Sequence, residues 1–199
     1  MENTVINPLN TNEALAPRPT RKVHPQKFMM WFAIGSLSLT FAGFTSAYLV
    51  RQGQGMWEQF QLPSIFYIST VVILLSSLTY SLGARAFKAE NMKRYTLFMV
   101  LSLLLGIGFM TLQYLGFQEL YQQNIRLNGN VSNSFFYVIA GMHLVHIFGA
   151  LIALLVVTIR NNQIKPENRK YLGVEILGYF WHFIDILWLY LFVFLMLYR

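Results

Sequence analysis

The sequence predicts an all-α membrane protein, a bundle of five transmembrane helices with the N-terminus cytoplasmic and the C-terminus outside. Three observations predict it. First, the 199 residues are 55% hydrophobic and only 12% charged, about half the charged fraction of a soluble domain. Second, the apolar residues fall into five long runs, each near the ~20 residues that a helix needs to cross a bilayer core. Third, the loops between these runs alternate between basic and nearly uncharged. There is no cysteine, so disulfides and thiolate metal ligands are excluded.

The first 27 residues are polar and contain Pro8, Pro17, Pro19 and Pro25. No apolar run precedes a cleavage signal, so this segment is expected to be a flexible cytoplasmic tail rather than a signal peptide. The five-helix domain then covers 28–199. Its helices are expected at about 28–50, 63–87, 95–116, 134–159 and 176–198. Pro63 suits the first turn of the second helix, and Asn133 or Ser134 suits the N-cap of the fourth. Ser38, Ala42 and Ser46 form a stripe of small residues on the first helix. Gly106 and Gly108 mark close approach or mild bending on the third.

Orientation follows from the basic residues. The N-terminal tail, the second loop and the fourth loop hold 12 of the 15 Lys and Arg, and the first loop, third loop and C-terminus hold one each: Arg51, Arg126 and Arg199. Positive charge concentrates on the cytoplasmic side. The net charge of +7 is therefore read as a topology signal, not as a nucleic-acid footprint. Asn130-Val-Ser132 matches a glycosylation triplet, a pattern frequent by chance.

Three histidines and one aspartate lie within the apolar runs: His143 and His146 on the fourth helix, and His182 and Asp185 on the fifth. Each pair is three residues apart and shares a helix face. Ionisable groups at this depth are costly and normally face protein or a water cavity. Rise per residue places His143 roughly 14 Å, His146 roughly 18 Å, Asp185 about 17 Å and His182 about 21 Å below the outer surface. The last three share one layer, so Asp185 could pair with either imidazole. Three readings follow: a clasp that fixes helix register, haem or metal ligation, and proton handling. Glu175 suits the N-terminal end of the fifth helix. Arg160 and Lys170 on the same side could hold a lipid phosphate.

Phe180-Trp-His-Phe-Ile-Asp-Ile-Leu-Trp188 is similar to the pattern W-H-F-x-D-x-x-W of subunit III of the haem-copper respiratory oxidases. Ser134-Phe-Phe-Tyr-Val-Ile-Ala-Gly-Met-His-Leu-Val-His146 is similar to the same family's S-x-F-F-x-x-x-x-x-H-x-x-H. Leu62-Pro63, Ser76-Ser77-Leu-Thr-Tyr80, Phe41-Ala-Gly43 and Tyr48 resemble further family patterns. From about residue 28 onward the chain therefore resembles the short five-helix form of that family.

The resemblance implies a non-catalytic subunit, without haem, copper or any other cofactor of its own, that flanks the catalytic subunit I. It implies bound phospholipid, subunit II and a respiratory supercomplex as further associations, in a bacterial inner membrane. The complex it implies reduces O2 to water in aerobic electron transport and translocates protons. The resemblance places Glu175 where many members have a glutamate, and Arg160 where some set an arginine against lipid phosphate. Leu37, Gln61 and Gly116 stand at positions where family members carry carboxylates, so roles tied to those carboxylates do not transfer. What remains for this chain is the buried polar layer of His143, His146, His182 and Asp185. Two alternatives stay open: an accessory subunit of a nitric oxide reductase, and a small b-type membrane cytochrome.

Overall fold

The computed structural model describes residues 24–55, 62–127, 130–164, 169 and 171–198. Among them are five helices and no strand: α1 (Pro25–Gln52), α2 (Ile65–Lys88), α3 (Met92–Gln122), α4 (Val131–Gln163) and α5 (Leu172–Tyr198). All five are long and apolar enough to cross a membrane, and the chain is a multi-pass membrane protein. The expected tail through residue 23, together with Gln61 and Lys170, lies outside the described residues.

The helices overrun the apolar runs. α3 continues to Gln122 because Leu120, fully buried, extends its packed face past Gly116. α4 starts at Val131, and Asn130 is its cap, accepting a hydrogen bond from the Ser132 amide. The expected caps have other duties. Asn133 is buried in the bundle, and the Ser134 hydroxyl donates to Leu127 O at 2.6 Å. Pro63 stands just outside α2, where its carbonyl accepts from the Phe66 amide at 3.1 Å in the turn that leads into the helix. The α2–α3 connection is tight. Glu90 takes a left-handed conformation at φ 57°, and the Asn91 amide reaches back to Ala86 O. Asn91 then caps α3 through the Arg94 amide.

α2 packs on α3 and α5, α3 on α4, and α4 on α5, which closes a four-helix ring. α1 lies outside it, against α4 and α5. Without a hydrophobic drive between helices in lipid, close association rests on small side chains and interhelical hydrogen bonds. Both are present. Ser76 Oγ donates to Ser102 O, Thr79 and Ser102 hydroxyls meet at 2.7 Å, and Gln113 Nε2 donates to Ser69 Oγ at 3.0 Å. Gly106 is a true close approach, since a Cβ there would sit 2.7 Å from Leu151 and 3.2 Å from the Trp181 ring. Gly108 is not, with only Val72 at 3.9 Å. Gly116 is equally filled, because a Cβ would meet the Phe66 ring at 2.8 Å. A carboxylate has no room at that position.

α5 supplies the centre of the core through Trp181, Ile184, Trp188 and Leu191, each essentially buried. Trp188 Nε1 donates to Thr70 Oγ1 at 3.0 Å, and Tyr80 of α2 donates to Val174 O at 2.7 Å. α1 turns Phe41, Thr45 and Tyr48 inward. Its stripe of Ser38, Ala42 and Ser46 faces away from the rest of the chain.

Candidate functional site: a buried polar band on α4 and α5

α5 carries His182, Asp185 and Trp188 at three-residue spacing. At 3.6 residues per turn each step turns the face by about 60°, so His182 and Trp188 point about 120° apart. This angular spread separates the polar groups that depth alone puts in one layer.

His182 faces α2. Its Nδ1 lies 2.6 Å from Ser77 Oγ and its Nε2 lies 3.2 Å from Ser81 Oγ. Those serines are four apart on α2 and so share a face. The Tyr80 ring meets the imidazole edge-on at 5.7 Å. His182 is half-buried.

His143 faces the opposite side of α5. It is fully buried and stacks on Trp188 at 5.2 Å with a 25° tilt. Phe41 of α1 and Phe109 of α3 approach it edge-on. Neither ring nitrogen has a hydrogen-bond partner. His146, half-buried, donates from Nδ1 to Met142 O of its own helix at 2.7 Å and meets Phe41 edge-on. Asp185 is 2% exposed. Neither of its oxygens accepts a hydrogen bond.

The expected pairing of Asp185 with an imidazole is therefore absent from the described contacts. The histidines are engaged separately, by serines, by an indole and by a backbone carbonyl. Ser77, Ser81 and Trp188 are the residues that reasoning from the ionisable groups overlooks. The two serines carried a signal, since an i, i+4 hydroxyl pair inside an apolar run marks a polar helix face. No three His, Asp or Glu side chains converge among the described residues.

At the end where the basic loops lie, Glu175 forms an ion pair with Lys27 of α1 at 2.7 Å and accepts from Tyr179 at 3.0 Å. Glu175 lines a groove of about 310 Å³ between α2 and α5, together with Arg85, Lys88 and, deeper, Ser81 and His182. Arg160, exposed, lines a different groove of about 390 Å³ with His24, Asn161 and Gly173. The lipid candidates Arg160 and Glu175 thus belong to two separate recesses.

The family model for cytochrome c oxidase subunit III matches residues 32–199. The cytochrome c oxidase subunit 3 of Bacillus sp. (strain PS3) is 28% identical over 172 residues, 83% of each chain. That of Alkalihalophilus pseudofirmus is 28% identical over 195 residues, covering 92% of this chain and 93% of the relative. The probable cytochrome c oxidase subunit 3 of Rickettsia conorii is 31% identical over 151 residues, covering 71% of this chain and 51% of the relative, so this chain spans about half of that relative's length. A match across all five helices, with the His-and-Asp segments of α4 and α5 inside it, leaves one conclusion: the chain belongs to the cytochrome c oxidase subunit III family.

Proposed function

We propose that this chain is a non-catalytic subunit III of a proton-translocating haem-copper terminal oxidase, where it braces the catalytic subunit I beside subunit II and holds phospholipid. The observation that carries the proposal is the family match over residues 32–199. The geometry agrees with it. Every imidazole within the bundle is packed against serine, indole or backbone, an arrangement suited to fixing helix register and unsuited to opposing two imidazoles across a porphyrin. Haem and copper belong to the partner subunits in this reading. Arg160 and Lys170, in the fourth and basic loop region, hold phospholipid headgroups in this reading, and Glu175 anchors α1 in a separate recess. Nitric oxide reductase accessory function and b-type cytochrome function are the competing readings. The bacterial relatives favour a bacterial plasma membrane, with the basic loops cytoplasmic.

The test is purification in mild detergent through a tag on this chain. A haem-copper catalytic chain is expected in the eluate, together with O2 reduction. An eluate that reduces nitric oxide instead assigns the chain to the reductase. A Soret band from the chain expressed without partners overturns the non-catalytic reading altogether.

A further inference from the structure

Lysines and arginines at the ends of membrane helices ordinarily extend into water or toward headgroups and need no partner. Near the turn between α2 and α3, three charged side chains are arranged differently. Lys88, Glu90 and Arg169 line one recess of about 550 Å³, together with Phe87, Met92 and Tyr171. A recess of this size, with apolar walls and a few polar groups, has the make-up of a small-molecule site.

Both cations are held by uncharged groups. Arg169 donates from Nε to Asn161 O at 3.2 Å, which ties it to α4. Among the described residues that is the one hydrogen bond of its guanidinium, so the two terminal nitrogens keep their donors free. Lys88 Nζ stands 4.5 Å from the centre of the Tyr171 ring, and that ring packs on buried Phe87 at 6.0 Å. Glu90 is placed by the backbone, with φ at 57° and the next amide, that of Asn91, bonded to Ala86 O. Among the described residues Glu90 pairs with neither cation, and the one ion pair is Lys27–Glu175. Three charges thus share a recess without neutralising one another.

A guanidinium with two free nitrogens, and an ammonium in the same recess, match the oxygens of a phosphate, which takes paired N–H bonds from arginine. Glu90 narrows the ligand further. A carboxylate repels a second negative group and accepts from an N–H donor. The ligand that answers all three charges is a phosphate whose bearer also carries an amino group. Phe87, Met92 and Tyr171 supply apolar surface for the part between them.

We propose that this recess binds an amino-bearing phosphate from the basic-loop side, with the phosphate on Arg169 and Lys88 and the amino group on Glu90. Two kinds of molecule carry that chemistry, a soluble nucleotide with an exocyclic amine and the headgroup of an aminophospholipid. The recess shares no lining residue with the groove of Arg160, and the proposal does not depend on the oxidase assignment.

The experiment measures binding to the complex purified through this chain. Calorimetry with AMP tests the soluble source, with ribose 5-phosphate as the amine-free counterpart. Native mass spectrometry with added phosphatidylethanolamine tests the lipid source, with phosphatidylglycerol as its counterpart. One amino-bearing molecule is expected to bind, and its counterpart to bind at least about tenfold more weakly, the scale of a hydrogen bond to a charged group. Arg169→Gln and Lys88→Gln are each expected to weaken binding by about tenfold or more. Glu90→Gln is expected to erase the preference for the amine. Arg85→Gln, a cation of the neighbouring groove that does not line this recess, is expected to change nothing. Unfolding temperatures are recorded for every variant, and Lys88→Gln, at an exposed position without a hydrogen bond to α4, decides the matter if Arg169→Gln fails to fold. Binding of AMP assigns the soluble source, and selective retention of phosphatidylethanolamine assigns the lipid. The proposal is overturned if neither binds, if the amine makes no difference, or if folded Lys88→Gln binds as tightly as the unaltered chain.

Discussion

His143 carries two ring nitrogens into a site that offers them nothing, yet it is the most enclosed of the histidines. Its surroundings are rings: Trp188 on its face, Phe41 and Phe109 at its edges. Aromatic contacts of this kind add about 0.5–1.5 kcal/mol beyond the area they bury. The ring acts as a flat packing piece. His143→Phe is therefore expected to keep the melting temperature of the purified chain or to raise it slightly, since it retains the stack and removes two desolvated nitrogens. His143→Ala leaves a cavity and is expected to cost about 3 kcal/mol, the usual scale for deleting a buried ring. Thermal or denaturant unfolding in detergent measures both. Equal losses from Phe and Ala mean that the nitrogens hold something the chain alone does not supply.

At the scale of the helices, close packing hangs on single glycines. Gly106 of α3 lies against Leu151 of α4 and the Trp181 ring of α5, so three helices meet at one missing side chain. Gly106→Val inserts three carbons there and is expected to destabilise by about 1–3 kcal/mol, the range for overpacking a full core. Gly108→Val, two residues away with its nearest neighbour at 3.9 Å, is expected to be almost neutral. Unfolding of the two variants side by side checks the contrast. The same region shows what the sequence made legible. Helix number, order and the motif segments were readable, because a bilayer forces long apolar runs with internally satisfied backbones. Azimuth was not. Whether His182 meets Asp185, His146 or α2 depends on which neighbour each face of α5 meets, and that is fixed by packing around the whole ring. Hence Ser77 is legible only as part of a motif, without its partner, Ser81 not at all, and Glu175 only as a residue at a helix end, without Lys27. Gly116 is the converse case. Its missing carboxylate was legible, and the Phe66 ring that fills the space was not.

For the molecule as a whole, α1 is the least buried helix, and it is fastened to α5 by polar contacts at three levels. Lys27 meets Glu175 at one end, Thr45 meets Tyr190 at 2.9 Å in the middle, and Tyr48 and Gln52 donate to Tyr198 O at the other. The Lys27 contact can form only if the start of α1 and the start of α5 are on one side of the membrane, as five successive crossings require. Orientation also decides which compartment the groove lined by Arg85, Lys88 and Glu175 faces. A chain without cysteine allows a direct measurement, since a single introduced thiol is the sole target for a membrane-impermeant maleimide. Gln54→Cys and Asn124→Cys, between α1 and α2 and between α3 and α4, are expected to label in intact cells. Glu90→Cys, between α2 and α3, is expected to label only after the membrane is opened. The reverse pattern would turn the basic loops outward against the distribution of lysine and arginine.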